Sequence, residues 1–271
     1  MRRIACLALC LAMLVEGFAL ASTAEPAKAG AEPEAAAAAS EARKAEADRL
    51  ERLQKAEALI HDGDPEAGIA LIDAIIAEYE RQYPEGKTRW YVARSMPETV
   101  VYATRATILN DPAQRDSVVL DVAWAEAYFL KAYALVELSV GSNAYKTSKG
   151  GNPQSDPVYL AKARAVLERG LQLEPYHVRM LSELGNLLQL QQDWNAMLRV
   201  FTDAEAAAAY LPEDEQNAGY GRAKRGMGYA LTELGRLDEA EAKYRECLRI
   251  DPDDTGAKHE LEYIRQLREK R

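Results

Sequence analysis

Histidine and cysteine are scarce, with three of each in 271 residues. His61, His177 and His259 lie far apart, and no pair has the spacing of metal ligands. Cys6 and Cys10 fall in an N-terminal stretch with the character of an export signal, which leaves Cys247 alone. One thiol cannot close an internal disulfide, so Cys247 is assigned as a small buried hydrophobe. The phosphate-cradling loop, the dinucleotide fingerprint and the Gly-x-Ser-x-Gly elbow are missing as well, so no motif points to an enzyme. Asp62-Gly63-Asp64-Pro65 opens like a calcium loop. Ala67 stands where that loop needs its glycine, however, and Asp73 where it ends in Glu, so the stretch is read as a polar turn. Neither a metal nor a cofactor is expected.

Basic charge is short too. Lys and Arg number 34 against 43 Asp and Glu, a net charge of -9. Such a surface disfavours nucleic acid, whose phosphates need a basic stripe. The many carboxylates are assigned to solvated helix faces rather than to general acid and base roles.

Long apolar runs are confined to the N-terminus, where Ile4 to Val15 follows Arg2 and Arg3 and breaks at Glu16. That is well short of the roughly 20 residues a membrane-spanning helix needs. It has the layout of a secretory signal over residues 1–21, with Ala19-Leu20-Ala21 or Ser22-Thr23-Ala24 as the cleavage triplet. Leu9 ahead of Cys10 argues against a lipoprotein. Removal of the signal leaves 32 basic and 42 acidic residues, near -10, in a chain with no membrane span and expected in the periplasm or outside the cell. Residues 22–41 are rich in Ala, Glu and Pro with nothing large to bury, and read as a disordered tether.

Alternation of apolar and polar residues between turn signals is also missing, so no strand is expected. What the chain has is repetition. Tyr-Ala-Leu-Val-Glu-Leu-Ser at 133–139 returns as Tyr-Ala-Leu-Thr-Glu-Leu-Gly at 229–235, 96 residues later. Downstream of the second copy, Gly228, Leu231, Gly235, Ala240, Tyr244, Cys247 and Pro252 place small residues where two short helices must approach, and a proline where the second must stop. The first copy follows with Ala132, Leu135, Ala163, Leu167, Gly170 and Pro175. A third lies between them, with Leu181, Leu184, Gly185, Leu188, Trp194, Phe201 and Ala204.

This pattern resembles the tetratricopeptide repeat, a helix-turn-helix unit of about 34 residues. Gly185 follows Ala132 by 53 positions, 19 more than one unit, and Gly228 follows Gly185 by 43, nine more. The extra residues fall in an insert at about 140–158 and near Tyr210 to Ala218. The resemblance implies an all-α solenoid of antiparallel helix hairpins. Three repeats span 125–254, as units 125–177, 178–211 and 221–254, degenerate helical repeats precede them over 42–124, and a capping helix follows over 255–271. The helices around Asp62-Gly63-Asp64-Pro65 read as a hairpin of unfixed register. The insert, with Lys146 and Lys149, is read as a mobile loop with no assigned role.

In this family the second, fifth, ninth, twelfth and thirteenth places of a unit face a concave groove. Carried over, the resemblance implies Glu126, Phe129, Tyr133, Val136 and Glu137 in the first unit, then Arg179, Ser182, Asn186, Gln189 and Leu190, then Arg222, Arg225, Tyr229, Thr232 and Glu233. The expected peptide-binding groove is Phe129, Tyr133, Glu137, Arg179, Asn186, Arg222, Arg225 and Tyr229. Members that bind chaperone tails clamp a terminal carboxylate with Lys and Asn. Here Ser182 and Arg225 stand where Lys is wanted, which argues against such tails. The expected function is a non-catalytic interaction scaffold or adaptor for a polypeptide, of service in envelope assembly. The alternatives are a self-associating structural subunit, or an accessory or inhibitor of an envelope enzyme or toxin.

Overall fold

The computed structural model describes residues 31–108, 116–120, 122–141 and 156–270. The signal at 1–21, the tether as far as 30 and most of the insert lie outside the described residues. The chain divides into two units, Met1–Asp48 and Arg49–Arg271.

Helix α1 spans Ala31–His61, so residues 31–41 are helical and not a disordered tether. Ala and Glu are strong helix formers whether or not they bury anything, and Pro33 sits in the first turn, where its missing N–H is not needed. In the first unit the side chains of 37–48 are exposed, except Ala39 and Glu46, which are half-buried. In the second unit α1 turns into α2 (Pro65–Gln82). Gly63 takes a positive φ of 89° at the corner, and Asp64 caps α2 by accepting from Ala67 N at 3.1 Å. Arg52 grips Glu78 across the hairpin with two hydrogen bonds of 2.8 and 2.7 Å.

The expectation of no strand is wrong. Between α2 and the next long helix the chain forms β1 (Thr88–Val92), α3 (Met96–Ile108) and β2 (Asp116–Leu120). The strands pair in parallel, Thr88 with Asp116 through Val92 with Leu120. Covered parallel strands read as short β-branched and aromatic runs, here Trp90-Tyr91-Val92 and Val118-Val119-Leu120, and carry no alternation to detect. A crossover helix separates them, so no hairpin turn marks the pair either. The insertion is fastened to the helices by a run of tyrosine rings in contact. Tyr91 lies 5.4 Å from Tyr102, Tyr102 5.6 Å from Tyr176, and Tyr176 4.7 Å from Tyr210. Tyr102 Oη also accepts a hydrogen bond from Tyr176 N at 3.0 Å.

Among the described residues seven helices follow: α4 (Trp124–Gly141), α5 (Pro157–Leu173), α6 (Val178–Leu190), α7 (Trp194–Ala208), α8 (Glu213–Glu233), α9 (Leu237–Ile250) and α10 (Thr255–Glu269). Each packs on the next, and α2 packs on α4 past the insertion. The helix corners share one hydrogen-bond pattern. Gln191, Gln192 and Asp193 N donate to Leu187, Gln189 and Leu188 O, and Leu234, Gly235 and Arg236 N donate to Ala230, Thr232 and Leu231 O. Asp62, Gly63 and Asp64 N donate to Ala58, Ile60 and Leu59 O in the same way. Gly63, Gln192 and Gly235 all take positive φ, which makes the three corners equivalent and fixes the register of the first hairpin. Ile72, Phe201 and Tyr244 are then equivalent buried residues. Ile75, Ala204 and Cys247 form another such set, which places the Cys247 thiol as core filler.

Close approach of helices depends on the glycines. A Cβ on either Gly185 of α6 or Gly226 of α8 would overlap the Phe201 ring of α7, which is caught between them, and one on Gly228 would lie 2.7 Å from the Tyr244 ring. At Gly221 the nearest atom is Arg225 Nη1 at 3.6 Å. The terminal α10 buries Ala257 and Ile264 beside Tyr244 and Cys247 and leaves its other face to solvent.

Gly185→Val is expected to destabilise the protein by about 2 kcal/mol, because the trapped ring has nowhere to move. Gly221→Ala, with room for its methyl, should be neutral or stabilise by up to about 1 kcal/mol. Urea melts of the two variants check the contrast.

Candidate functional site

The first helix of each hairpin, α1, α4, α6 and α8, contributes to two hollows. The first, of about 300 Å3, is lined by Glu57, Ile60 and His61 of α1, Phe129, Leu130 and Tyr133 of α4, Arg179 and Glu183 of α6, and Arg222 of α8. The second, of about 320 Å3, has Asn186 and Gln189 of α6, Arg222, Arg225, Gly226 and Tyr229 of α8, and the Met197 and Phe201 side chains of α7.

Seven of the eight expected groove residues border one hollow or the other, and Arg222 borders both. Glu137 lines neither, although it is close enough to Tyr133 that its charge, with that of Glu183, adds to the burial that raises the phenol. Ser182 is buried and donates to Val178 O at 2.8 Å, so it faces no ligand. The sequence reading missed Glu57, Ile60 and His61. With Gly63 aligned on Gly235, these are the ninth, twelfth and thirteenth places of the first hairpin, so the positive-φ glycine was the available signal. His61 lies 6.2 Å from Tyr133, ring to ring.

Beneath the first hollow lies a polar cluster. The Arg179 guanidinium sits 4.1 Å above the Phe129 ring. That ring stacks on the His177 imidazole at 5.6 Å. His177 is fully buried and caps α6 through Nδ1, which accepts from Met180 N at 3.2 Å. An accepting Nδ1 requires the tautomer with the proton on Nε2, which faces Glu126 Oε2 at 3.6 Å, an electrostatic contact longer than a hydrogen bond. Glu126 also binds Arg179 at 3.0 Å. Burial works to raise Glu126, but His177 and Arg179 outweigh it and hold the carboxyl below its usual range. Burial pushes His177 down to about 4, with Arg94 adding to the effect and Glu126 opposing it. Arg94, in the β1–α3 connection, pairs with the buried Glu174 at 2.6 Å. Burial raises that carboxyl to about 8 against the pull of Arg94.

At the other end of the face Arg225 binds Asp254 at 2.6 Å. Asp254 also caps α10 by accepting from Ala257 N at 2.9 Å. Burial acts to raise Asp254, and the Ala257 and Arg225 hydrogen bonds reverse it, so the carboxyl lies below the usual range. Among the described residues no group of three or more His, Cys, Asp and Glu is disposed to hold a metal ion. No helix among them is long and apolar enough to cross a membrane.

Stacked hairpins with a shared face of aromatic, amide and guanidinium side chains define an interaction scaffold. Residues 226–254, which form most of the α8 and α9 hairpin, match the family model described as tetratricopeptide repeat. The α8 and α9 hairpin is therefore a tetratricopeptide repeat, and the hairpins packed before it have the helix-turn-helix form of that unit. Among solved structures the chain is similar to MamA residues 41 to the end from Desulfovibrio magneticus RS-1, at 14% identity and a TM-score of 0.48, covering 82% of this chain and 85% of that one. It is also similar to TTC0263, a thermophilic tetratricopeptide-repeat protein of Thermus thermophilus, at 16% identity and a TM-score of 0.38, covering 80% and 98%. The first such domain of Spaghetti (RPAP3), solved with the HSP90 peptide SRMEEVD, is 23% identical with a TM-score of 0.31, covering 51% and 92%. A search of curated proteins finds no match.

A histidine buried neutral must charge on unfolding in acid. With the folded value near 4 and the unfolded one near 6.5, its contribution is fully present above about pH 6.5 and is lost as pH falls toward 4. Acidification from pH 7 to 5 should therefore cost roughly 2 kcal/mol through this residue. His177→Asn, which can still cap α6, should flatten the pH profile of urea denaturation over that window.

Proposed function

We propose that this protein is an exported, non-catalytic scaffold that holds a polypeptide partner along the face formed by α1, α4, α6 and α8. The observation that carries the reading is the continuity of the two hollows through Arg222. Tyr133, Arg179, Asn186, Arg225 and Tyr229 stand exposed or half-exposed around them, on helices whose opposite faces are buried. Aromatic and arginine side chains dominate the energetics of protein interfaces, and an extended or helical segment laid across four helices could engage both hollows. Export rests on the sequence layout of residues 1–21, and a role in envelope assembly follows only from export joined to a scaffold with no catalytic motif.

Photo-crosslinkers at Tyr133 and Tyr229 should capture the same partner in cells, and one at the exposed Arg249 on α9 should not. With that partner purified, Tyr133→Ala and Tyr229→Ala should each weaken binding by about 2 kcal/mol or more. Different captures at the two tyrosines, or unchanged affinity in both variants, would remove the groove from the account. The scaffold chain recovered from those cells should itself have a mass lacking the first 21 or 24 residues.

A further inference from the structure

We infer that the concave face selects internal acidic side chains of an extended polypeptide, with Arg222 as the anchor. The inference rests on the groove reading above and adds the chemistry of the partner.

Among the described residues four arginines reach this face, and three of them are committed. Arg94 is paired with Glu174, Arg179 with Glu126 and Arg225 with Asp254, at 2.6, 3.0 and 2.6 Å. These pairs set side-chain positions, and the ionised carboxylates of Glu126 and Asp254 largely cancel the charges of Arg179 and Arg225. Arg222 is exposed and makes no hydrogen bond or ion pair with another described residue. It borders both hollows, and also a third, of about 150 Å3, that Arg94, Arg179 and Glu215 help to line. Glu183 shares the first hollow with it, and burial raises that carboxyl against the pull of Asn186, Arg222 and Arg179. An uncommitted guanidinium therefore stands where the three hollows meet, on a chain of net charge -9. An acidic segment is repelled by most of this surface and drawn to this one face.

The geometry also selects the kind of carboxylate. Ser182 is buried and bonded to its own helix, Arg225 is tied to Asp254, Arg179 to Glu126 and Arg94 to Glu174, so no second cation without a carboxyl partner stands beside Arg222 among the described residues to clamp a chain terminus. The single fork of Arg222 suits one Asp or Glu side chain. Asn186 and Gln189 lie alongside for backbone groups, and the Phe129, Tyr133 and His61 hollow accepts a large apolar neighbour.

Selection of random displayed peptides of roughly 12 residues, about 40 Å when extended, on the full chain tests this. Selected sequences should carry Asp or Glu next to a large apolar residue. Replacing the acid by its amide should weaken binding about tenfold, as should Arg222→Ala, while Arg222→Lys retains part of the affinity. Capping the peptide C-terminus as an amide should change nothing, and raising the ionic strength from about 0.05 to about 0.5 M should weaken binding. Equal binding of acid and amide peptides, loss of binding on C-terminal capping, or the same selection on Arg222→Ala would overturn the inference. Uncharged peptides that depend on Tyr133 would overturn it and leave the groove reading standing. No selected peptide at all would count against both.

Discussion

The stack depends on how closely its helices can approach. Phe201 of α7 fills the space left by two missing side chains, Gly185 on α6 and Gly226 on α8, and Tyr244 of α9 does the same against Gly228. Aromatic rings supply the buried area while the glycines supply the room, so neither works without the other. Once this pairing sets the separation, the first helices of successive hairpins lie side by side with their second helices behind them. The face they share is then a consequence of packing rather than a separately built pocket.

That dependence explains what could be read without coordinates. A glycine facing an aromatic residue one helix later leaves a spaced signature, so the hairpins from α6 to α9 were legible from Gly185, Phe201, Gly228 and Tyr244. Ala56, Gly185 and Gly228 are equivalent, but alanine is common everywhere, and the register of the first hairpin emerged only from the matching backbone of its corner. The strands β1 and β2 went unseen because a covered parallel pair carries no alternation. At residues 31–41, Ala and Glu satisfy a helix and a solvated tether equally well, so composition could not separate them. Family position places seven of the eight expected residues at the border of the two hollows. The ion pairs that commit Arg179 and Arg225 were not, because Glu126 and Asp254 lie 53 and 29 residues away from them.

The polar cluster under the first hollow links the fold to its surface. His177 commits one nitrogen to the start of α6 and lends its ring face to Phe129, on which Arg179 lies. Glu126 binds Arg179 while facing the other nitrogen of His177. The helix cap and the groove cation are therefore held by one set of contacts, which keeps Arg179 in place before any partner arrives. Arg225 is held in the same manner by the residue that caps α10. Against this fixed frame Arg222 is the adjustable charge.

The central claim is that partners meet the face made by α1, α4, α6 and α8. Hydroxyl-radical footprinting of the protein with and without its captured partner tests it most directly. The account predicts protection of Tyr133 and Tyr229, with Tyr263 and Met96, both exposed outside the hollows, reacting as before. Protection of Tyr263 or Met96 with unchanged reactivity at Tyr133 and Tyr229 would contradict it.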